Sequence, residues 1–208
     1  KTQKTGIKEP SIPQLPAPQS SWYSVQSESP KDQLVQKVSK DLPWNEALSG
    51  AAVEVALNVV ERPIRLEDVK WAAIRSGYPY SVEQIVVGNV EMDFFPKDLR
   101  SIIKEQDPNT LGLVRVRKGT MDKWVAIYGT AGQFEENFPR EIELNETLEI
   151  KGEGDWRVLD PNGNITNGTL PFAQEMTTVG EWWFEGTVSN QPYSFPVYVD
   201  SGTPVHPL

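Results

Sequence analysis

Three glutamates lie on or near one predicted helix, and glycoside hydrolysis needs only two carboxylates. These residues are Glu46, Glu54 and Glu61. Glu54 interrupts an apolar segment, where an acidic side chain could line a pocket. However, it falls off the apolar stripe of the helix, so we expect the Glu54 carboxylate on the outer, solvent-facing side. A hydrolase that uses carboxylates alone is therefore the third hypothesis for this chain.

Another carboxylate lies in the run V-Y-V-D-S-G-T at residues 197–203. Apolar residues followed by Asp-Ser-Gly-Thr form the signature of aspartic proteases, in which two such aspartates share one proton. Only five residues follow Thr203, whereas a protease lobe builds its cleft and flap from a long stretch after this motif. We therefore predict that Asp200 ends a strand and leads into a Ser-Gly turn.

Residues 160–164, D-P-N-G-N, place Asp160, Asn162 and Asn164 at the spacing of the first three ligands of a calcium loop. The glycine that such a loop needs next is Ile165, and its bidentate glutamate position holds Pro171. Proline, asparagine and glycine are also the residues that favour a tight turn. The pattern predicts a turn between two strands, and weak calcium binding at Asp160 stays open.

Residue types on which most mechanisms depend are scarce in this chain. Its 208 residues include no cysteine and one histidine, His206, in the tail S-G-T-P-V-H-P-L. Histidine is the usual general base and a frequent zinc ligand, and disulfides or thiolate sites require cysteine. The sequence therefore predicts that the protein is not an enzyme and binds no cofactor or metal.

Charge is distributed unevenly along the chain. The net charge is −9, but from Glu135 onward thirteen acidic residues accompany only three basic ones. The net charge argues against nucleic-acid binding, which needs clustered lysine and arginine. The asymmetry indicates a domain boundary near Glu135. The acidic half is either a solvated surface or a docking face for a basic partner or cations.

Residues 1–29 form a proline-rich, polar segment that is typical of an extended tether. The aromatic pair Trp22-Tyr23 is the exception. We expect this pair to dock on the neighbouring domain or on a partner. No apolar run reaches the roughly 20 residues of a membrane helix.

Residues 30–134 combine helical and extended patterns. The predicted elements are helices from Ser29-Pro30, from Pro43 to Pro63, over 66–76 and from Pro96, and strands over 84–87, 111–117 and 124–128. The last two strands flank Lys118-Gly119 and form a hairpin. We predict an α+β domain whose helices cover one face of a small antiparallel sheet.

Residues 135–208 alternate apolar and polar residues between turn signals. The predicted strands lie near residues 141–144, 148–151, 156–159, 165–170, 182–188 and 193–199. Short antiparallel strands at this spacing are typical of an all-β immunoglobulin-like sandwich.

The run G-E-W-W-F-E at residues 180–185 is the most suggestive binding feature. In a strand, Trp182 points to one face and Trp183 to the other. We expect Trp182 in the core and Trp183 outside, packed on the first domain or offered to a sugar or protein partner. The candidate interface residues are Trp183, Glu181, Glu185, Trp22 and Tyr23.

The longer patterns resemble a known family. R-S-G-Y-P-Y-S-V-E-Q-I-V-V, L-R-S-I-I-K, L-G-L-V-R-V-R-K-G and W-V-A-I-Y, between residues 75 and 128, resemble the later half of a degenerate CAP (SCP/PR-1-like) domain. In that family a helix precedes a strand and its hairpin partner. The later D-P-N-G…F-P-V-Y-V is similar to β-domains that accompany CAP-like modules in secreted bacterial proteins. The resemblance covers residues 40–200.

CAP domains present paired histidine and glutamate in a cleft, and this chain has no histidine in that segment and no G-E-N-I-like run. The resemblance therefore implies a copy that has lost the metal-binding cleft and serves as a structural or binding version. No site residue is transferred from the family.

Together the patterns predict a tether (1–29), a CAP-like α+β domain (30–134) and an immunoglobulin-like sandwich (135–208). The leading hypothesis is a non-catalytic adaptor or scaffold that binds a protein partner in a bacterial envelope or secreted assembly. The alternative is a module that binds cell-wall or other polysaccharide. We expect an extracytoplasmic location (periplasm, outer envelope or secreted), with which a lipid anchor upstream of residue 1 is compatible.

Overall fold

A computed structural model of the chain describes residues 20–24, 29–58, 64–91 and 97–201. The predicted order of helices and strands in the N-terminal region is confirmed, with one short strand added before the first helix. Its elements are β1 (Trp22–Tyr23), α1 (Gln33–Ser39), α2 (Glu46–Asn58), α3 (Leu66–Arg75), β2 (Ser81–Glu91), α4 (Lys97–Gln106), β3 (Thr110–Lys118) and β4 (Met121–Thr130). The later elements are β5 (Phe138–Pro139), β6 (Glu141–Ile142), β7 (Thr147–Ile150), β8 (Gly154–Leu159), β9 (Ile165–Thr169), β10 (Phe172–Glu175), β11 (Gly180–Val188) and β12 (Gln191–Val199).

Strands β2, β4 and β3 form an antiparallel sheet with β4 in the middle. Val125 and Ile127 of β4 belong to the same buried cluster as α2 and α3. Trp124, Ala126 and Tyr128 point to the opposite face and pack with α1 and α4. The prediction that helices cover only one face is wrong. At the centre of β4, the side chains that point to either face of the sheet are apolar. Helices therefore cover both faces.

Helix α1 begins at Gln33, later than the predicted start at Ser29-Pro30. The Asp32 carboxylate is the reason. It accepts the backbone N–H of Leu34 at 2.8 Å and that of Val35 at 3.1 Å, which satisfies two of the donors left open at a helix start.

Helix α2 begins at Glu46 rather than at the predicted Pro43. The Asn45 side chain accepts the N–H of Leu48 at 2.9 Å and caps the helix. Residues 43–45 instead lie beside β3, where the backbone N–H of Leu111 donates to the Pro43 carbonyl at 2.8 Å. The predicted boundaries at Pro63 and Pro96 lie outside the described residues. No helix in the described part of the chain combines the length and apolar character needed to cross a membrane.

In the C-terminal region, β6, β12, β11, β8 and β9 form a five-stranded sheet in that order. Strands β7 and β10 form a second, antiparallel pair. The buried faces of the two sheets meet where the Phe172 ring of β10 lies 5.0 Å from the Phe184 ring of β11. The sequence pattern misses β10, because Phe172 is its only buried side chain and the strand shows no alternation.

One aromatic cluster extends through both regions. The ring of Phe134 lies 5.5 Å from Tyr80, 5.1 Å from Phe138, 5.1 Å from Tyr193 and 6.1 Å from Phe195. Tyr80 directly precedes β2, whereas the other three residues belong to β5 and β12. Each such pair stabilises the fold by about 0.5–1.5 kcal/mol beyond the area it buries. The helical region and the β-rich region therefore share a core.

Arg140 ties the end of α3 and strand β1 to the β-rich region. Its side chain is buried, and its Nη1 donates to the Arg75 carbonyl at 2.7 Å. Its guanidinium lies 5.0 Å from the centre of the Tyr23 ring, and the Tyr23 hydroxyl donates to the Pro196 carbonyl of β12 at 2.6 Å. A cation is favourable both at a helix C-terminus and over an aromatic face.

The buried tyrosines predict alkaline instability. Burial raises the pKa of all six tyrosines of the chain, that of Tyr80 to about 12. An unfolded tyrosine ionises near pH 10, so the contribution of these groups to stability is complete below about pH 10 and is lost as the pH rises through the higher folded-state pKa values. We expect tyrosinate absorbance to rise together with loss of the circular dichroism signal. Ionisation near pH 10 in a chain that keeps its native circular dichroism would contradict this expectation.

Candidate binding surface

Strand β11 presents alternate side chains to opposite faces of the five-stranded sheet. Trp182 and Phe184 point inward, and both are buried. Trp183 lies between them on the outer face and is partly exposed. The alternation predicted for these residues is confirmed.

An apolar row crosses the outer face of this sheet. Leu159 of β8 lies opposite Trp183, and Ile165 of β9 lies opposite Leu159. Residues directly opposite each other share a face, with Cβ atoms about 4.5–5.5 Å apart. Leu159 is 43% exposed and Ile165 is 54% exposed. Three large apolar side chains therefore lie side by side on the surface, and we refer to them as the apolar row.

A polar row borders the apolar row on the same face, two residues further along each strand. It consists of Glu185, Arg157 and Asn167. Arg157 Nη1 lies 3.1 Å from Glu185 Oε1, and both side chains are exposed to solvent. On the next row, Asp155 Oδ1 accepts the backbone N–H of Thr187 at 2.6 Å and its hydroxyl at 2.9 Å. An apolar centre with a polar rim is the usual composition of a protein interface.

A groove separates α3 from the sheet at the inner end of the apolar row. The indole rings of Trp71 and Trp183 both line it and contact each other, with centroids 5.8 Å apart at an angle of 60°. The cavity measures about 290 Å³. Lys70 and Glu67 lie at its helical rim, and Ser194 lies on the sheet side. The other lining residues are Ile74, Tyr80 and Ser81. We refer to this cavity as the indole groove.

The five predicted interface residues lie on two different strands, three on β11 and two on β1. Trp183, Glu181 and Glu185 share the outer face of β11, because they are two residues apart along the strand. Trp22 is 51% exposed in β1, but Tyr23 is completely buried. Of this aromatic pair, Tyr23 thus docks into the core and Trp22 faces solvent.

Asp160 forms the predicted turn. Its Oδ1 accepts the backbone N–H of Asn162 at 2.9 Å and that of Asn164 at 2.8 Å, and its Oδ2 accepts the Asn164 side chain at 2.9 Å. The side-chain hydrogen bond from Asn164 lowers the pKa of Asp160 below its ordinary value. Within the described ranges, no group of three or more acidic or histidine side chains is arranged to hold a metal ion.

Asp200 directly follows β12, as the sequence pattern predicts. It is exposed, and its backbone N–H donates to the Ile142 carbonyl at 3.1 Å. Residues 202 and 203, the Gly-Thr of its motif, lie outside the described residues. Asp200 is therefore placed at the end of a strand and is not among the residues that line the indole groove.

The prediction that Glu54 lies on the outer face of its helix is wrong. Glu54 is 7% exposed, and its carboxylate binds the Arg75 guanidinium of α3 through two hydrogen bonds, that from Nε measuring 3.2 Å. The positive partner explains how a carboxylate is accommodated in an otherwise apolar helix interface. Glu46 is exposed, and Glu61 lies outside the described residues. The described glutamates of this helix therefore do not form a carboxylate pair.

The sequence analysis does not identify Leu159, Ile165 or Trp71 as candidate residues. The sequence does contain an indication for Leu159. Side chains alternate along β8, so Leu159 points to the same outer face as Arg157, whereas the Val158 side chain between them points inward. An apolar residue in the polar phase of a strand indicates a surface contact. Ile165 and Trp71 become informative only once the register and the packing of α3 on the sheet are known.

The Glu54–Arg75 pair can be tested with a double-mutant cycle. Glu54→Leu leaves a buried guanidinium unpaired and Arg75→Leu leaves a buried carboxylate unpaired, so each is expected to lower the free energy of unfolding by about 3–5 kcal/mol. The double variant should be more stable than either single variant, because no buried charge remains. Urea denaturation measures all three. Additive losses in the double variant would contradict a coupled ion pair.

Compared with models of known protein families and with curated proteins, the chain matches none. Its function must therefore be inferred from the surface itself. That surface combines the apolar row, the polar row beside it and the indole groove at its inner end.

Proposed function

We propose that this chain is a non-catalytic protein-binding module that acts as an adaptor or scaffold in an extracytoplasmic assembly. The apolar row Trp183–Leu159–Ile165 carries the proposal. Large exposed apolar side chains are common singly on protein surfaces, but a contiguous set bordered by polar residues is typical of an interaction site.

The apolar row has the composition of an interface centre. Tryptophan is among the residues that contribute most to binding energy, and Trp183 is held in place by its contact with Trp71. The pairing of β8 with β9 fixes the positions of Leu159 and Ile165 next to each other. Because the row lies on strands rather than on loops, a partner would meet a surface that needs little ordering on binding.

Charge indicates the chemistry of the partner. Thirteen acidic and three basic residues occur from Glu135 to the end of the chain. Of the three basic side chains, Lys151 lies 3.1 Å from a glutamate carboxylate, Arg157 pairs with Glu185, and Arg140 is buried. The surface of the β-rich region is therefore strongly acidic. A basic protein would be steered toward it, and salt would weaken that association.

For the finer fold, we propose that residues 135–208 form an immunoglobulin-like sandwich. The strand order β6-β12-β11-β8-β9 against the pair β7-β10 supports this assignment. Consecutive strands β7 and β8, and again β9 and β10, belong to different sheets, as in Greek-key sandwiches. The apolar row then lies on the outer face of the larger sheet.

A CAP-like identity for residues 30–134 and the extracytoplasmic location are further parts of the proposal. Helix α4 precedes the β3–β4 hairpin, which is the order on which the resemblance is based. The resemblance is to secreted proteins, and the proline-rich composition of residues 1–29 is suited to a tether.

A cell-wall or other polysaccharide is the second candidate ligand. The observation that favours it is the partly exposed indole of Trp183 beside the hydroxyl-bearing Ser194 in the indole groove. A glycan array separates the candidates, because a sugar site would give a signal that Trp183→Ala abolishes. A protein interface gives no such signal.

The proposal can be tested by affinity capture from an envelope extract of the source cells with the full chain immobilised. The test variant is Leu159→Asp with Ile165→Asp, which places charge in the apolar row. Disrupting the centre of an interface is expected to cost about 2 kcal/mol or more of binding free energy, which corresponds to an affinity about 30-fold lower. The captured partner should therefore disappear. Added salt should weaken capture by the unaltered chain.

The matched control is Leu57→Asp. Leu57 is 61% exposed on α2, a helix that packs on α3, β3 and β4, so the change adds a charge at an exposed apolar residue outside the apolar row. This variant should capture the partner as the unaltered chain does. Equal capture by the Leu159/Ile165 variant would refute the proposed surface.

A further inference from the structure

Strand β9 is the outermost strand of the five-stranded sheet. In the part of the chain that the structure describes, β8 is its only neighbour in that sheet. Four of its five residues are exposed, and Gly168 is partly exposed. The outermost strand of a sheet has a row of backbone N–H and C=O groups without a strand partner. A further strand could therefore pair with β9 at this edge.

The hydrogen bonds at the two ends of the β8–β9 pair show which residues of β9 bond to β8. The Leu170 N–H donates to the Gly154 carbonyl, and the Asp160 N–H donates to the Asn164 carbonyl, both at 2.9 Å. In an antiparallel pair, opposite residues that exchange hydrogen bonds alternate with opposite residues that do not. The even-numbered residues of β9 therefore bond to β8.

The odd-numbered residues of β9 direct their backbone groups to the open edge. These residues are Ile165, Asn167 and Thr169. The Thr169 carbonyl already accepts the indole N–H of Trp156 at 2.9 Å. A strand added at this edge could form two hydrogen bonds with each of Ile165 and Asn167 and a further one with the Thr169 N–H.

The edges of the three-stranded sheet differ from this edge. Edge strands commonly carry charged side chains or proline, which discourage pairing with another chain. Strand β2 contains Glu83 and Glu91, and β3 contains Arg115 and Arg117. Strand β9 reads I-T-N-G-T, without charge or proline. Its edge thus lacks the protection that the two edges of the other sheet have.

We propose that an extended segment of a basic protein binds to β9 by adding a further strand to the five-stranded sheet. The inference rests on the proposed function, which supplies the protein partner, and it specifies how that partner binds. In strand addition, main-chain hydrogen bonds provide affinity, and the alternating side chains of the segment provide specificity.

The apolar row indicates the side chain that such a segment needs on the outer face. Ile165 is the member of the row that belongs to β9 itself. A residue of the added strand opposite Ile165 would have its Cβ about 4.5–5.5 Å from that of Ile165. A valine, leucine or isoleucine at this place would continue the row onto a fourth strand.

The inner face of the same edge favours a cation. The Trp156 indole lies against β9, because a Cβ at Gly168 would be 2.6 Å from its ring. Its hydrogen bond to the Thr169 carbonyl brings the indole to the edge, and the side chain is partly exposed. A lysine or arginine beside Gly168 would contact this ring, and a cation over an indole is favourable. The segment should therefore alternate apolar and basic residues.

The charge of the β-rich region supports the same partner. From Glu135 onward, thirteen acidic residues accompany three basic ones, so a basic segment would be attracted. A second copy of this chain is disfavoured, because pairing of β9 with β9 would bring two acidic regions together.

A short peptide of alternating lysine and valine tests the proposal on the full chain. We expect a Kd below about 1 mM. At saturation, hydrogen exchange at the Ile165 and Asn167 amides should slow at least about tenfold, because both N–H groups become hydrogen-bonded. The same peptide with N-methylated backbone amides keeps its side chains and should protect neither amide. No binding, or binding without protection of these two amides, would overturn the proposal.

Asn167→Pro removes one donor from the edge and no hydrogen bond between β8 and β9, and proline is tolerated at such edge positions. The matched control, Asn167→Ala, removes the side chain and keeps the N–H. We expect Asn167→Pro to weaken peptide binding at least about tenfold and Asn167→Ala to change it less than about twofold. Equal binding by the two variants would overturn the proposal. If Asn167→Pro fails to fold, the N-methylated peptide on the unaltered chain decides.

Strand addition and the proposed surface can fail separately. Capture that is lost in the Leu159/Ile165 variant but normal in Asn167→Pro would retain the apolar row and overturn strand addition. Normal capture by the Leu159/Ile165 variant, together with peptide protection of the Asn167 amide in the unaltered chain, would refute the apolar row and support strand addition.

Discussion

Phe134 is the residue on which the arrangement of the two regions depends. Its ring contacts Tyr80, which directly precedes β2 in the helical region, and three aromatic residues of the β-rich region. The contact continues from Phe195 to Phe184, whose rings are stacked 5.6 Å apart, and so into the middle of the five-stranded sheet. Protein interiors are close-packed, so this continuous set of rings cannot shift in one region without strain in the other.

The outer face of the five-stranded sheet follows from this core. Because Trp182 and Phe184 must point inward to join the aromatic cluster, the strand period places Trp183 outside. Helix α3 lies next to that indole through Trp71 and is itself fixed by Arg140 at its last carbonyl. The proposed binding surface is thus built on strands and a helix whose positions are set by the core.

Local patterns in the sequence were sufficient where one side chain or one turn determines the structure. The Asp160 turn, the β3–β4 hairpin and the inward position of Trp182 are examples. Non-local partners could not be read from the pattern. The pattern predicts Glu54 on the outer face of its helix, because its countercharge, Arg75, is 21 residues away in sequence. The pattern does not reveal the apolar row for the same reason, since Trp183, Leu159 and Ile165 become neighbours only through the register of three strands.

The central claim is that the two regions unfold as one unit because they share the aromatic core. Denaturant titration of the chain labelled with fluorotryptophan tests it directly, since Trp124 reports on the helical region's sheet and Trp182 on the β-rich region. The account predicts that both native resonances disappear at the same denaturant concentration with the same slope. Loss of the Trp124 resonance while Trp182 keeps its native signal would contradict it.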